Sequence, residues 1–210
     1  MFKEEVISRK QCELLALLNK NHVLDNFYLA GGTAIALYLG HRFSDDFNFL
    51  TEQEFDSSAL TEKLAALGSF RTVGSVWGFL NGSLDGVMLS FAVYRHPLIA
   101  PTSIYCDVEV AGLEDLGLMK LEAVASRGFK RDFIDLYFIA KEGVSLEKLI
   151  ELYPRKYPQG NLYNAIKSLA FFQDAEKQPS PRLTSAKVSW EEIKEFFTAA
   201  QKNLMQRLWS

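Results

Sequence analysis

Residues 29–50, LAGGTAIALYLGHRFSDDFNFL, contain a turn and side chains that could bind phosphate and a metal ion. A short apolar run ends at Gly31-Gly32, where glycine lets the backbone approach an anion and a helix N-terminus would favour negative charge. Downstream, Asp46 and Asn48 alternate along a strand-like segment, so their side chains share one face. The combination could bind a nucleoside triphosphate with magnesium, although a Gly-Gly pair alone is often only a turn and helix cap.

Asn48 is the unusual member of this pattern. Magnesium prefers anionic oxygens, and asparagine offers one neutral carbonyl oxygen. The missing charge is worth up to about 8 kcal/mol for a divalent ion at ~4 Å and an effective dielectric near 20. Asp45 faces away from Asp46 unless it lies in the preceding loop. Alternatively, one strong metal position and the negative charge of the triphosphate could together bind the ion. The sequence is therefore compatible with a weakened site and with a working one.

Cations further along the chain could neutralise a triphosphate. Lys120 shares a helical face with Leu116 and Ala123, and Arg127 follows about 10 Å along the same helix. A lysine on a mainly apolar stripe needs an anionic partner, because a buried unpaired charge is costly. The alternative is a lysine that extends its amine from the edge of the core into solvent.

Asp132 and Asp135 also admit two interpretations. Two acids three residues apart at a helix start resemble a capping box, with helix-dipole stabilisation of roughly 0.3–1 kcal/mol. The same carboxylates could act as a general base or orient other groups. The pair His41-Arg42 could contact phosphate, although a solvated or carboxylate-paired position is favoured. The two isolated histidines are interpreted as structural: His22 and His96.

Hydrophobic periodicity places the first of these residues in an α/β region. It predicts a helix over 4–20, a buried strand over 27–30, a strand over 46–50 and a helix over about 57–67. Thr33 is expected to cap a helix that runs to Leu39, where Gly40 supplies the stop. Further β segments of a mixed sheet are expected over 70–73, 76–80, 87–94 and 104–108.

After Leu113 the patterns are helical. Helices are predicted over 113–127, 132–140, 146–153, 162–172 and 190–204. The boundary near Gly112 divides the chain into an α/β core, 1–111, and a helical C-terminal region, 112–210. Gln178-Pro-Ser-Pro is interpreted as a linker before the last helix.

The composition of the chain limits the kind of protein that it can be. A chain of 210 residues that is 48% hydrophobic can bury a sizeable core. Its net charge of −3 gives the chain as a whole no electrostatic attraction to polyanions. Cys12 and Cys106 are too few for a disulfide framework, which fits a reducing compartment. The charged N-terminus is unlike a signal peptide, and no run approaches the ~18 apolar residues of a membrane span. A cytoplasmic protein without a membrane partner is expected.

Three stretches of the sequence resemble a known family. They are LAGGTAIALYLGHRFSDDFNF, then GLEDLGLMKLEAVASRGFKRDFIDLYFIAK at 112–141, and finally FFQDAEKQPSPRL with VSWEEIKEFF. On these stretches the chain is similar to the AbiEii/AbiGii toxin-like nucleotidyltransferases, a DUF1814-type family. The resemblance implies a polymerase-β-like nucleotidyltransferase core followed by helices. It also implies a bacterial protein of a toxin–antitoxin system or of phage defence by abortive infection.

The resemblance also assigns the nucleotide and metal positions. The turn Gly31-Gly32, with Thr33, is expected to contact a nucleoside triphosphate (NTP), and Ser44 is expected on the phosphate side. Asp46 and Asn48 occupy the two positions that bind Mg²⁺ in the family. A third carboxylate of the fold would fall on the strand over 87–93, where this chain has Ser90.

The second stretch carries the remaining assignments. Lys120 matches a family lysine that is expected to neutralise the triphosphate, and Arg127 is expected to contribute to nucleotide binding. Asp132 and Asp135 match the aspartates of an Arg-Asp-x-x-Asp segment and are expected to activate an acceptor hydroxyl. At Lys120, Asp132 and Asp135 this chain thus has the residue types of the family.

Two functions from different classes follow. The first is an Mg²⁺-dependent nucleotidyltransferase that moves a nucleotide from an NTP to a protein or an RNA acceptor such as a tRNA-like molecule, with a cognate antitoxin as a possible partner. The second is a catalytically silent nucleotide-binding or protein-interaction module that retains the fold. Asn48 and Ser90 are the residues that separate the two, and the sequence leaves catalytic activity open.

Overall fold

Short apolar and alternating runs form one mixed sheet in the computed structural model, which describes residues 2–184 and 188–208. The strands are β1 (Tyr28–Ala30), β2 (Asp46–Thr51), β3 (Phe70–Val76), β4 (Phe79–Leu84), β5 (Val87–Val93), β6 (Ser103–Tyr105) and β7 (Val108–Val110). Their order across the sheet is β3-β4-β5-β2-β1-β7-β6. β2 lies antiparallel to β1 and parallel to β5. The predicted α/β class and mixed sheet are confirmed.

The helices that follow β7 make up the predicted helical C-terminal region. The first part of the chain contributes α1 (Arg9–Lys20), α2 (Gly31–Leu39) and α3 (Ser57–Ala65). The later helices are α4 (Leu113–Ser126), α5 (Lys130–Glu142), α6 (Leu146–Lys156), α7 (Leu162–Ser168), α8 (Gln173–Glu176) and α9 (Trp190–Leu208). α2 packs against β1 and β2 and also contacts α4 and α5, which joins the sheet to the helical region. The division at 111/112 into two domains stays a prediction.

Alternation along β2 separates a core face from an open face. Phe47 and Phe49 are fully buried, and the ring of Phe49 stacks on Phe91 of β5 with 5.1 Å between centroids. Successive side chains of a strand point to opposite faces, so Asp46 and Asn48 lie together on the other side. Burial of the phenylalanines therefore fixes the direction in which both polar residues project.

Several predicted boundaries are wrong for local reasons. The first helix begins at Arg9 rather than residue 4, because Ser8 and Gln11 form a capping box there. The strand expected over 76–80 is split by a turn between β3 and β4. The single strand expected over 104–108 is a hairpin, β6 and β7, whose turn has positive φ at Cys106 and Asp107. The helix expected over 162–172 ends at Ser168, and the next helix begins only at Gln173.

The segment that directly follows the predicted linker pairs with the backbone around His41 and Arg42. The backbone N–H of Phe43 donates to the carbonyl of Arg182 at 3.0 Å, and that of Thr184 donates to His41 at 3.1 Å. The two segments thus pair locally at Arg42 and Leu183. Among the described residues, no helix is long and apolar enough to cross a membrane.

Candidate active site

A cleft of about 490 Å³ lies between β2 and α4, with the start of α2 at one end. Its walls include Gly31 and Gly32, Asp46 and Asn48, and Lys120 of α4. Residues separated by more than 70 positions in the chain therefore meet in one concave site. Their catalytic and binding roles stay predictions, but their shared location is a feature of the fold.

Asp46 and Asn48 contact each other on the open face of β2. The amide Nδ2 of Asn48 donates to Oδ2 of Asp46 at 3.2 Å. In the register of the sheet, Asn48 lies beside Ser90 of β5 and opposite Ala30 of β1. Neither neighbour is acidic, so this part of the sheet places a single carboxylate in the cleft.

This donor set fits one magnesium ion that arrives with a nucleotide. Among the described residues, no group of three or more His, Cys, Asp or Glu side chains could hold a metal ion by itself. Magnesium in nucleotide sites commonly uses one or two carboxylates together with substrate phosphates and water. Asp46 supplies the carboxylate, and Asn48 can supply its carbonyl oxygen if the amide rotates away from Asp46.

Neighbouring side chains come so close to the turn that both of its residues must be glycine. Gly31 has φ of +69°, and a Cβ there would lie 3.1 Å from Nδ2 of Asn48. A Cβ on Gly32 would lie only 1.8 Å from Nη2 of Arg42. Any larger residue at position 32 would displace that guanidinium. The Gly-Gly pair therefore lets an arginine and the strand face approach the start of α2.

Thr33 and Ser44 support Asp46 from behind. The prediction that Thr33 caps α2 is wrong, because Ala30 occupies the N-cap position. The Thr33 hydroxyl instead hydrogen-bonds Ser44 Oγ at 2.7 Å and donates to the backbone carbonyl of Asp46. Ser44 is 2% exposed. Both hydroxyls thus fix the first residue of β2 rather than line the main cleft.

A buried ionic cluster forms the base of the cleft. Asp135 of α5 accepts hydrogen bonds from Nε of Arg42 at 2.6 Å and from Nε2 of His41 at 2.8 Å, and Nζ of Lys120 lies 2.7 Å from its other oxygen. The side chain of Asp135 is completely buried. His41 therefore takes the carboxylate-paired position that the sequence favoured.

Asp132 completes this ionic cluster, defined as His41, Arg42, Lys120, Arg127, Asp132 and Asp135. Its carboxylate accepts from Lys120 at 2.7 Å and from Nε of Arg127 at 2.7 Å. The capping-box interpretation of Asp132 is wrong, since Phe129 is the N-cap of α5 and makes no side-chain cap. Lys120 is held between two aspartates, so it is not the solvent-directed lysine of the alternative interpretation.

The electrostatics of the ionic cluster keep its aspartates ionised. Burial alone would raise the pKa of Asp135, but Lys120 and Arg42 outweigh it and hold that pKa well below its usual value. Burial also tends to raise the pKa of Asp132. Lys120 and Arg127 outweigh that effect, so this pKa is lowered. The cations Arg42, Lys120 and Arg127 exceed the two carboxylates by one positive charge. That excess faces the cleft through Arg127, whose side chain is 44% exposed.

Several cleft residues were not assigned to a site from the sequence, Glu122 among them. Arg131 lines the cleft and makes no ion pair with the described residues, and Tyr94, His96 and Tyr157 form its far wall. The isolation of His96 in the chain predicts a structural role, whereas the structure places it in the cleft wall. The spacing of Tyr94 and His96, two residues apart just after β5, was the signal that could have placed both on one face.

A second groove, of about 900 Å³, meets the main cleft beside Asp46. The two cavities share Arg42, Asp46 and Arg131. The second groove is bounded by the N-terminal segment near Glu5, by the predicted linker 178–181 and by Arg182. A molecule in this groove could therefore reach Asp46 without occupying the main cleft.

Comparisons with known proteins agree with this architecture. The chain matches the family described as "Nucleotidyl transferase AbiEii toxin, Type IV TA system" over residues 13–84 and 82–210. It is 36% identical over 205 residues to an uncharacterized protein of Aquifex aeolicus, covering 95% of this chain and 98% of the relative.

Solved structures show the same fold. The nucleotidyltransferase toxin MenT4 from Mycobacterium tuberculosis aligns with a TM-score of 0.54 at 16% identity, covering 95% of this chain and 86% of that one. A proposed nucleotidyltransferase from H. pylori aligns with a TM-score of 0.50 at 15% identity, covering 97% and 98%. At these identities the likeness concerns the fold.

Proposed function

The chain belongs to the AbiEii family of nucleotidyltransferase toxins, and we propose that it transfers a nucleoside monophosphate from an NTP to an acceptor hydroxyl on RNA or protein, with release of pyrophosphate and of the hydroxyl proton. The observation that carries the proposal is the meeting of the Gly31-Gly32 turn, Asp46 and the ionic cluster in one cleft. Each of these parts suits a different portion of an NTP. Family membership also favours a cytoplasmic setting and a cognate antitoxin.

The start of α2 and the ionic cluster would receive the phosphates. A helix N-terminus attracts anions through its free N–H groups, and α2 begins at Gly31 itself. Arg127 and Arg131 reach the same cleft with their guanidinium groups. Guanidinium forms paired hydrogen bonds to phosphate oxygens, so these two arginines are the favoured direct contacts.

Asp46 and Asn48 would hold Mg²⁺ together with the phosphates of the bound nucleotide. When bound, the ion would supply charge stabilisation at the phosphoryl group that is transferred. The protein contributes orientation: Thr33 and Ser44 hold Asp46 at the start of β2. To present its oxygen to the ion, Asn48 would have to give up the hydrogen bond that it donates to Asp46.

Lys120, Asp132 and Asp135 are proposed as positioning residues. The two carboxylates are fully buried and already paired, which favours an orienting role over activation of an acceptor hydroxyl. Lys120 ties both aspartates together and so fixes where Arg42 and Arg127 lie. The acceptor would enter through the second groove, because that groove reaches Asp46 beside the main cleft.

A catalytically silent nucleotide-binding module is the second candidate, and Asn48 is the observation that favours it. With one carboxylate on the strand face, the cleft could retain NTP without transferring it. Binding and transfer are therefore separate questions for this protein.

The test is to incubate the purified protein with each α-labelled NTP, magnesium and either total RNA or a protein extract. Transfer of label that is lost in Asp46→Asn supports the transferase. The matched control is Asp174→Asn, an exposed aspartate remote from the cleft, which should leave transfer unchanged. NTP binding by calorimetry without label transfer would identify the silent module, and absence of both would contradict nucleotide binding.

A further inference from the structure

An aromatic wall closes the cleft at the end remote from Asp46. β2 runs from Asp46 past Leu50, about 13 Å further at ~3.3 Å per residue. There the N–H of Tyr94 donates to the carbonyl of Thr51 at 2.7 Å. The cleft therefore extends along β2 from a polar end to an aromatic end, a span suited to a nucleotide lying with its phosphates at Asp46.

The wall is held by contacts among Tyr94, His96 and Tyr157. The hydroxyls of Tyr94 and Tyr157 are 2.6 Å apart, and the ring of His96 lies edge-on to both, at 5.2 and 4.9 Å between centroids. Behind them, the ammonium of Lys156 is fully buried, pairs with Asp115 at 2.6 Å and lies 5.3 Å from the Tyr94 ring centroid. This support makes a pre-formed platform on which a planar ring could stack.

Glu122 brings a carboxylate to the same end of the cleft. It lies on α4, two residues after Lys120, and lines both the cleft and a smaller adjoining pocket. One of its oxygens accepts a hydrogen bond from the hydroxyl of Tyr153. Its other oxygen has no hydrogen-bond donor among the residues that the structure describes. An oriented acceptor with spare capacity thus stands beside an aromatic platform, with Met119 and Leu50 as apolar neighbours.

We propose that this end of the cleft, formed by Tyr94, His96, Tyr157 and Glu122, is a nucleobase subsite that selects bases carrying an exocyclic amine. The inference rests on the proposed function and adds a nucleotide class to it. Adenine, cytosine and guanine can each donate from an amino group to the free oxygen of Glu122. Uracil presents carbonyl oxygens on both sides of its single N–H, and these repel a carboxylate. ATP, CTP and GTP should therefore bind more tightly than UTP.

The experiment compares calorimetric binding of the four NTPs and of inorganic triphosphate, all with magnesium, to the full chain. A hydrogen bond to a charged group predicts that UTP binds about tenfold or more weakly than the best amino-bearing nucleotide. Glu122→Gln should remove most of this preference, because its amide can donate to a uracil carbonyl. His96→Ala should weaken all four NTPs and leave inorganic triphosphate unchanged.

Glu142→Gln, on the exposed end of α5, is the matched control and should preserve the preference. Thermal melting of each variant separates a binding change from a folding defect, and Tyr153→Phe offers a milder change at the same carboxylate. If inorganic triphosphate binds but the four NTPs bind equally, or Glu122→Gln keeps the preference, the base subsite is wrong while the proposed function stands. If triphosphate and NTPs all fail to bind, both are overturned.

Discussion

Nδ2 of Asn48 lies 3.2 Å from Oδ2 of Asp46 and donates a hydrogen bond to it across one strand face. Two carboxylates at this separation would repel each other unless a cation lay between them. The amide removes that repulsion and gives Asp46 a neutral partner. The pair is therefore stable without metal, and binding an ion between them requires the amide to turn.

Asn48→Asp should strengthen Mg²⁺-dependent NTP binding. It restores a negative charge beside the ion with little change in side-chain size, and the interaction at stake predicts a gain of about tenfold or more. Any transferase activity should rise with it. Calorimetry with ATP, with and without magnesium, measures the effect.

Asn48→Ala serves as the control, because it removes the amide without adding charge. The melting temperature of Asn48→Asp should fall slightly without ligand and recover with Mg-ATP, since the two carboxylates repel until a cation arrives. A destabilised Asn48→Asp protein that gains nothing from Mg-ATP would argue against a metal site and for the silent module.

Lys120→Met should destabilise the fold strongly. It leaves Asp132 and Asp135 buried with one fewer cation, and breaking a buried ion pair in this way typically costs about 3–5 kcal/mol. Lys63→Met, on an exposed helix position, should change the free energy of unfolding by less than about 0.5 kcal/mol. Urea unfolding of both variants makes the comparison, and equal effects would show that the ionic cluster contributes little.

The lowered pKa values of Asp132 and Asp135 predict acid sensitivity. A carboxyl group whose pKa is depressed in the folded state stabilises the fold above its unfolded pKa, about 3.9 for aspartate. That contribution is lost as the pH falls below this value toward the folded pKa. Free energies of unfolding measured between about pH 3 and pH 6 should therefore fall steeply at the acid end. Asp132→Asn should show a shallower fall, and identical slopes would refute this assignment.

Gly32→Ala should disrupt the pairing of Arg42 with Asp135. Its Cβ would lie 1.8 Å from Nη2 of Arg42, so the guanidinium must leave Asp135. We expect destabilisation of about 2 kcal/mol or more from the weakened buried pair, together with loss of NTP binding. Gly74→Ala is the control, since a Cβ there comes no nearer than 3.8 Å to a neighbouring atom. Thermal melting that ranks the two variants equally would contradict the packing argument.

The local parts of the site follow from neighbouring residues in the chain. Alternation in β2 placed Asp46 and Asn48 on one face, because burial of Phe47 and Phe49 leaves the intervening residues no other direction. The glycine pair marked the strand-to-helix turn, and Asn48 was identifiable as a neutral residue two positions after Asp46. Each of these inferences depends on residues only one or two positions apart.

Which charged side chains pair depends instead on how distant segments of the chain pack together. Arg42 meets Asp135 across 93 positions of sequence, and Lys120 lies between two aspartates of the next helix. The pairing of these groups depends on how α2, α4 and α5 pack, which helical spacing within one segment does not specify. The same holds for His96 and Tyr157, which become a wall of the cleft only when α6 is brought beside the end of β5.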